Sequence, residues 1–217
     1  MSHRRLVTSL AAAAVAVGTV AAPAAAAPTA ASAAAGPGTT SLASVLLADG
    51  DTFDHRWSDY DVVTQVVLAV LAAKPDSPVG LLTDGTVPLT AFLPDDRAFR
   101  ILARDVTGSW ERTESAVFDD VASLGIDTVE AVLLYHVVPG ATIDSRTALA
   151  SDGAALTTAS GGTVTVDVLS RRGGVARLVD ADRNDFNPFL DRRALDVNAG
   201  NAQIAHGITA VLRPADL

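Results

Sequence analysis

Histidine has the widest range of chemistry of any residue in this sequence, because its ring can act as a general base, bind a metal ion or hydrogen-bond buried backbone groups. The chain contains four histidines, His3, His55, His136 and His206, and no two of them have the short spacing of neighbouring metal ligands. A hydrolase would have to assemble His136, His206 and a serine or aspartate from distant segments. Catalytic motifs of fixed spacing, such as G-x-S-x-G and H-E-x-x-H, are absent. The sequence therefore predicts a protein that is not an enzyme.

His136 lies in the segment LLYHVVPG, residues 133–140, which ends in a Pro-Gly turn. The residues Val129, Val132, Leu133 and His136 follow the i, i+3, i+4, i+7 spacing of one helix face. We therefore expect the His136 ring to be buried and to hydrogen-bond neighbouring backbone. Tyr135 points about 100° away from that face, which makes it the better candidate for recognition.

An acidic segment, DADRNDFNPFLD over residues 180–191, is the candidate for a metal site. It places oxygen side chains at the first, third, fifth and twelfth positions of a calcium-binding loop: Asp180, Asp182, Asn184 and Asp191. The sixth position, where such a loop needs glycine, is Asp185, and no helical pattern precedes the segment. A calcium loop and a solvated acidic insertion both remain open interpretations.

The elements that position these residues are predicted to be helices in the first half of the chain. Apolar spacing predicts a helix over residues 58–73 and a short buried strand over residues 89–94. Asp95 can cap a further helix that runs to about residue 105. Residues 110–123 are polar and are expected to be irregular or weakly helical. Asp127, with Glu130 three residues later, resembles a capping box at the start of the helix that carries His136.

Strands are predicted after residue 141. In GGTVTVDVL the valines alternate with polar residues, as in a half-buried strand: Val164, Val166 and Val168. The segment VARLVDAD is expected to be its hairpin partner, and QIAHGITAVLRP to form the closing strand region. Helices first and strands last predict an α+β fold in a single domain.

Composition limits the classes of partner. With 217 residues, 49% of them apolar, the chain can form one domain with a sizeable core. Its net charge of −9 disfavours nucleic acid as a partner, because an acidic surface repels phosphate. The sequence has no cysteine, which excludes disulfides and thiolate metal sites.

The first 35 residues are predicted to be a cleaved secretion signal with an Ala-rich extension, leaving residues 36–217 as the mature domain. His3, Arg4 and Arg5 precede the apolar stretch LVTSLAAAAVAVGTVAA, and several small residues follow at which cleavage can occur. An uncleaved membrane anchor is the alternative, but the stretch is rich in alanine and poor in leucine, isoleucine and phenylalanine. We expect a secreted or cell-wall protein without a membrane span after cleavage.

Three segments together resemble the fasciclin (FAS1) domain family. LTAFLPDDRAF is similar to its first box, LLYHVVPG to its central Tyr-His motif, and GNAQIAHGITAVLRP to its closing box. The closing box departs from the family pattern by one extra residue between Asn201 and His206, and by Thr209 where an acid is usual. Apparent insertions lie near residues 108–123 and 183–198.

The resemblance implies a β-sheet wedge packed with helices, from a secreted bacterial single-domain protein. It also implies a non-catalytic adhesion or interaction module with no cofactor. The partner known for animal relatives does not carry over, and we expect a cell-envelope or extracellular matrix protein or a glycan, of unknown identity. Carried over residue by residue, it selects Tyr135, His136 and His206 as the binding candidates. An extracellular small-molecule or polysaccharide-binding protein remains the alternative, followed by a hydrolase. Aromatic residues could equally form a binding surface or cover the core: Trp57, Trp110, Phe186 and Phe189.

Overall fold

Six α-helices and six strands form residues 36–217, the part of the chain that the computed structural model describes. The predicted secretion signal in residues 1–35 lies outside the described residues. In chain order the elements are α1 (Leu42–Asp49), α2 (Asp61–Ala73), a 3₁₀ helix (Pro78–Thr83), β1 (Leu89–Pro94), α3 (Asp96–Thr107), α4 (Glu114–Ser123), α5 (Ile126–Tyr135), β2 (Val137–Pro139), α6 (Ser145–Ala150), β3 (Ala155–Thr157), β4 (Thr163–Ser170), β5 (Val175–Val179) and β6 (Gln203–Ile208). The predicted α+β class is confirmed.

The first sheet has the strand order β2-β1-β6 and carries the residues of all three sequence motifs. β1 pairs with β6 in parallel, from Leu89 opposite Gln203 to Pro94 opposite Ile208, and with β2 in the antiparallel sense. Every residue of β1 and of β6 is buried. A strand that is covered on both faces needs a continuous apolar run rather than an alternating one, which is why LTAFLP contains so little polar character.

The second sheet is the predicted hairpin region, with the order β3-β4-β5 and antiparallel pairing throughout. Val164 and Val166 are buried and Val168 is partly buried, so the predicted alternation along β4 is confirmed. The polar positions Thr163, Thr165 and Asp167 face the other way. Only one face of this sheet contributes to a core.

Two hydrophobic cores result, on opposite faces of the first sheet. Ala91 and Leu93 of β1 pack among α1, α2, α3, α4 and α5, whereas Phe92 between them packs toward the second sheet. The segment 183–198 then bridges the two sheets, because Phe189 pairs with β5 while Leu190 pairs with β6. The apparent insertion in the sequence is therefore part of the packing between the sheets.

The helices follow the sequence predictions in part. Asp95 caps α3 by accepting a hydrogen bond from the Ala98 N–H, as predicted. Residues 114–123 form a regular helix, α4, which is capped by Thr113 and buries Val117 and Val121. None of the helices within residues 36–217 combines the length and the apolar character needed to cross a bilayer.

The predicted capping box of α5 is wrong. Gly125 precedes the helix without a side-chain cap, and Asp127 lies inside the first turn. The carboxylates of Asp127 and Glu130 both bind the Lys74 ammonium group at the end of α2, where they connect two helices. A side chain near a helix start can serve a tertiary ion pair instead of its own backbone, and sequence spacing does not distinguish the two.

Candidate functional site

The His136 ring closes the end of α5. The His136 backbone N–H donates to the Leu133 carbonyl at 3.0 Å, which leaves the Val132 carbonyl without its usual helical partner. His136 Nδ1 donates to that carbonyl at 2.7 Å, and His136 Nε2 accepts the Leu212 N–H at 2.9 Å. Because a backbone N–H can only donate, the ring is the neutral tautomer with its proton on Nδ1. The side chain therefore joins α5 to the segment after β6.

Burial keeps His136 neutral. The residue is 4% exposed, and desolvation lowers its pKa to about 4, opposed only in part by the hydrogen bond to the Val132 carbonyl. The space beside it is a cavity of about 20 Å³ with a mostly apolar lining, which is room for about one water molecule. A ring whose two nitrogens are both occupied and which has no access to a substrate cannot act as a general base.

His206 has a similar role on β6, at the opposite edge of the first sheet from β2. It is fully buried on β6, beside Phe92 of β1. Its Nε2 donates to the Ile143 carbonyl at 2.8 Å, and its Nδ1 accepts the Asp196 N–H at 3.2 Å. The ring is therefore the neutral tautomer with its proton on Nε2. Its hydrogen bonds connect the loop after β2 and the segment 183–198 to the first sheet.

A serine, an aspartate and a histidine meet around His206, but not in the order that nucleophilic catalysis needs. Ser145 Oγ donates to Asp196 Oδ2, and Asp196 Oδ1 lies 3.9 Å from His206 Nδ1. A catalytic histidine must bind the serine hydroxyl directly to remove its proton. Here the hydroxyl is bound to the carboxylate, and both ring nitrogens have backbone partners. The group therefore positions the start of α6, and His136 and His206 do not form the shared cleft that the hydrolase hypothesis needs.

Tyr135 is buried in the second core. Its side chain leaves α5 away from the helical core, as the spacing predicts, but that direction leads to the second sheet, and the residue is 1% exposed. Its hydroxyl donates to the Thr163 carbonyl on β4 at 2.7 Å. Gly162 allows the ring to lie this close, since a Cβ there would be 2.7 Å from Tyr135 Cε2. None of the three predicted binding residues presents its side chain to solvent, and their role in binding stays a prediction.

We expect Tyr135→Phe to lower the free energy of unfolding by about 1 kcal/mol, because the hydrogen bond to β4 is lost while the ring is retained. The melting temperature should fall by about 2 to 4 °C. Tyr60→Phe is the matched control, since the Tyr60 hydroxyl has no hydrogen-bond partner among the described residues. Equal melting temperatures for the wild type and Tyr135→Phe would show that this hydroxyl does not connect α5 to the second sheet.

Comparison with known proteins identifies the family to which this fold and its buried histidines belong. The family model for the fasciclin domain matches residues 64–214, which contain the central motif, both buried histidines and all six strands. This chain belongs to the fasciclin domain family. A solved structure of a FAS1 domain pair from the insect cell adhesion molecule Fasciclin I is similar in fold, with a TM-score of 0.52 and 16% identity over 81% of this chain and 51% of that chain. The fasciclin chain described here thus spans about half the length of that structure. No curated protein sequence matches it at a significant level.

In this fasciclin domain the acidic segment 180–191 is organised around an arginine rather than arranged as a calcium loop. The guanidinium of Arg213 lies 2.7 Å from Asp105, 2.8 Å from Asp185 and 3.9 Å from Asp182. The Asp180 carboxylate accepts the Arg213 N–H at 2.9 Å. Asp191 instead accepts a hydrogen bond from the N–H of Arg193, so the predicted ligand set does not converge. Within residues 36–217, the carboxylates close enough to share an ion lie elsewhere, around Asp59.

Gln203 is a structural residue that the sequence analysis missed. It is fully buried at the start of β6, where Oε1 accepts the Leu42 N–H and Nε2 donates to the carbonyls of Leu81 and Asp84. One side chain thereby connects α1 and the 3₁₀ helix to the first sheet. Its position in the closing box is the only signal in the sequence, since a polar residue directly before an apolar run looks like an exposed strand end.

The exposed aromatic residues form two separate surfaces. Trp110 is 53% exposed, and the guanidinium groups of Arg100 and Arg104 lie 5.4 and 4.8 Å from its ring centre. Arg100 also stacks on the half-buried Trp57 at 4.5 Å, and its Nε donates to the Glu111 carbonyl. We call these four side chains the Trp-Arg ladder. Because each arginine is held by aromatic faces, the ladder is fixed before any partner arrives.

The second surface lies on the segment 183–198. Phe186 is 59% exposed, and its ring centre is 5.7 Å from that of Phe189. Phe189, Arg192 and Arg193 line an open groove of about 570 Å³ together with Thr209. Of the four aromatic residues considered from the sequence, Trp110 and Phe186 are thus surface residues and Trp57 is partly in the core.

Proposed function

We propose that this fasciclin domain is a secreted or cell-wall interaction module without catalytic activity, which binds a protein or glycan of the bacterial cell envelope through its surface. The observation that carries the proposal is the state of the two motif histidines. All four of their ring nitrogens are bound within the protein, and both rings are neutral and buried. Such residues stabilise a scaffold and leave recognition to exposed groups.

The Trp-Arg ladder is the surface we assign to that recognition. Tryptophan and arginine are the residues that most often dominate the energy of protein interfaces. On a chain with a net charge of −9, Arg100 and Arg104 together offer a local positive surface beside an exposed indole ring. The ladder therefore fits an acidic partner, either an acidic protein surface or an anionic envelope polysaccharide.

The proposal is tested by pull-down of the purified chain against cell-envelope fractions, with one fraction treated with protease and another with periodate. We expect specific retention that one of the two treatments abolishes, which identifies the partner as protein or as glycan. Trp110→Ala should weaken retention by about tenfold or more, because loss of a central tryptophan at an interface commonly costs 2 kcal/mol or more. The same variant should unfold within about 1 kcal/mol of the wild type, since Trp110 is exposed.

Leu169→Ala is the matched control, because Leu169 is a similarly exposed apolar residue, 52%, on β4 and outside the ladder. It should retain the partner as the wild type does. Equal loss in both variants would indicate non-specific hydrophobic capture, and retention of the partner by Trp110→Ala would remove the ladder from the proposal.

A small-molecule or polysaccharide-binding function is the second candidate, and the groove beside Phe189 favours it. Its volume lies within the range of ligand sites, and it combines an aromatic ring with two arginines. Glycan-array binding that is lost in Phe189→Ala and kept in Trp110→Ala would support this candidate over the first.

A further inference from the structure

Three carboxylates that are far apart in sequence converge where α2, α3 and α4 begin. Oxygen atoms of Asp59, Asp96 and Glu114 all lie within 4.8 Å of one another. Asp96 is fully buried, Glu114 is 1% exposed and Asp59 is half-buried at the surface side of the group. A second set, Asp54 and Asp61 with the shared Asp59, continues the group toward solvent.

In each of the two buried carboxylates, one oxygen accepts a backbone hydrogen bond and the other has no hydrogen-bond partner among the described residues. Asp96 Oδ1 accepts the Val62 N–H at 3.0 Å, and Glu114 Oε2 accepts the His55 N–H at 2.9 Å. Asp96 Oδ2, Glu114 Oε1 and Asp59 Oδ1 are buried and accept no hydrogen bond from residues 36–217. Unsatisfied buried oxygens are rare in folded proteins, and three together require an explanation.

No basic side chain of residues 36–217 forms an ion pair with these three carboxylates. The ion pairs found in residues 36–217 involve other carboxylates. Charged carboxylates this close together repel one another, and the burial of Asp96 and Glu114 adds a desolvation penalty. A bound cation would remove both the desolvation penalty and the repulsion.

We propose that Asp59, Asp96 and Glu114 bind a calcium ion through the three oxygens that lack protein partners. Calcium is favoured over a transition metal because the set contains only hard carboxylate oxygens and no imidazole or thiolate. It is favoured over magnesium because calcium accepts irregular oxygen geometries, whereas magnesium requires a near-ideal octahedron. Half-buried Asp59 and exposed Asp54 provide the route of entry from solvent.

The ion would fix the loop before α2 against the starts of α3 and α4. That loop is already attached to α3 by hydrogen bonds from the Asp96 N–H to the Asp59 carbonyl and from the Arg97 N–H to the Trp57 carbonyl. Since Trp57 belongs to the Trp-Arg ladder, calcium would also stabilise one part of that surface. The proposal itself does not depend on the identity of any partner.

The test is the melting temperature of the purified chain after treatment with a chelator, measured with and without calcium chloride. We expect calcium at a hundred times its dissociation constant to raise the melting temperature by about 5 to 10 °C. Dissociation constants of extracellular calcium modules are about 10⁻⁴ to 10⁻³ M, so the titration should extend to tens of millimolar. Terbium, which replaces calcium in oxygen sites, should luminesce when tryptophan is excited, since Trp57 lies in the attached loop.

Asp96→Asn and Glu114→Gln should abolish the calcium shift and the terbium signal. Both amides keep an oxygen for the backbone N–H groups, and removing the repulsion between carboxylates should leave the calcium-free melting temperature equal or higher. Asp119→Asn is the matched control, because Asp119 is an exposed carboxylate on the same helix as Glu114. The absence of a calcium shift in the wild type, or a shift that survives both variants, would overturn the proposal.

Discussion

Replacing Arg213 with alanine should lower the free energy of unfolding by about 3 to 5 kcal/mol, which is the usual cost of removing one partner from a buried ion pair. Only 6% of the Arg213 side chain is exposed, and its guanidinium lies against Asp105, Asp182 and Asp185. The Asp182 side chain is 1% exposed, so it would be left charged and uncompensated. Thermal or urea unfolding of the two proteins measures the difference.

Two further variants distinguish the contribution of the ion pair to stability from that of packing by the arginine side chain. Arg193→Ala removes an exposed arginine from the same chain and should change stability by less than about 0.5 kcal/mol. Adding Asp182→Asn to Arg213→Ala should recover part of the loss, because the uncompensated carboxylate becomes neutral. A loss below about 1 kcal/mol for Arg213→Ala would contradict the conclusion that this arginine organises segment 180–191.

His136→Ala should lower the free energy of unfolding by about 3 kcal/mol and the melting temperature by about 6 to 12 °C. The substitution removes a buried ring and leaves the Val132 carbonyl and the Leu212 N–H without partners. His136→Phe retains most of the ring volume without either nitrogen. If His136→Phe is as stable as the wild type, the hydrogen bonds contribute little and His136 acts by packing alone.

The same histidine should make the protein sensitive to acid. Its pKa is about 4 in the folded chain and about 6.5 in the unfolded chain, so below pH 6.5 the unfolded state binds a proton that the folded state does not. The contribution of the neutral ring to stability is complete above pH 6.5 and is lost as the pH falls to about 4. The total loss across this window is about 3 kcal/mol.

Other groups that titrate between pH 6.5 and pH 4 change the stability in the opposite direction. The contribution of His136 is therefore measured as the difference in stability between the wild type and a His136 variant. Burial raises the pKa of Asp61 and of Asp180 to about 6, which favours folding in acid. The gap in stability between the wild type and His136→Phe should therefore narrow from pH 7 to pH 4. A gap that stays constant would show that His136 does not titrate differently in the two states.

These predictions assign the motif residues at the centre of the domain to stability and its surface to recognition. The motif residues Tyr135, His136 and His206 are buried, and the polar atoms of their side chains all have protein partners. A substitution there that reduces binding would do so by unfolding the scaffold. Binding variants should therefore be sought among exposed residues such as Trp110 and Phe186.

Long periodic segments of the sequence predicted their structure correctly. The apolar face of α2, the Asp95 cap of α3 and the alternation of β4 each depend on residues that are close together in the chain. The short elements α1, α6 and β3 were not predicted. With three to eight residues each, they contain too few periods for a pattern to appear, and they form because the rest of the fold packs on them.

The carboxylate cluster and the surroundings of Arg213 were harder to predict, because both bring together residues that are far apart in the chain. Asp96 lies in the first sequence motif and Glu114 in an apparent insertion, and no spacing indicates that they meet Asp59. Arg213 lies within the closing motif, yet the acidic residues of segment 180–191 are read as a possible metal site until the arginine is placed among them.

The sequence by itself determined the fold class, the family and the burial of His136, since periodicity and motif order are local properties of the chain. Only the tertiary structure decided what surrounds each residue. Tyr135 points away from the helical core as its spacing requires, but a second sheet meets it there. A helix period fixes the direction of a side chain, whereas the partner in that direction comes from strands that fold back from distant parts of the chain.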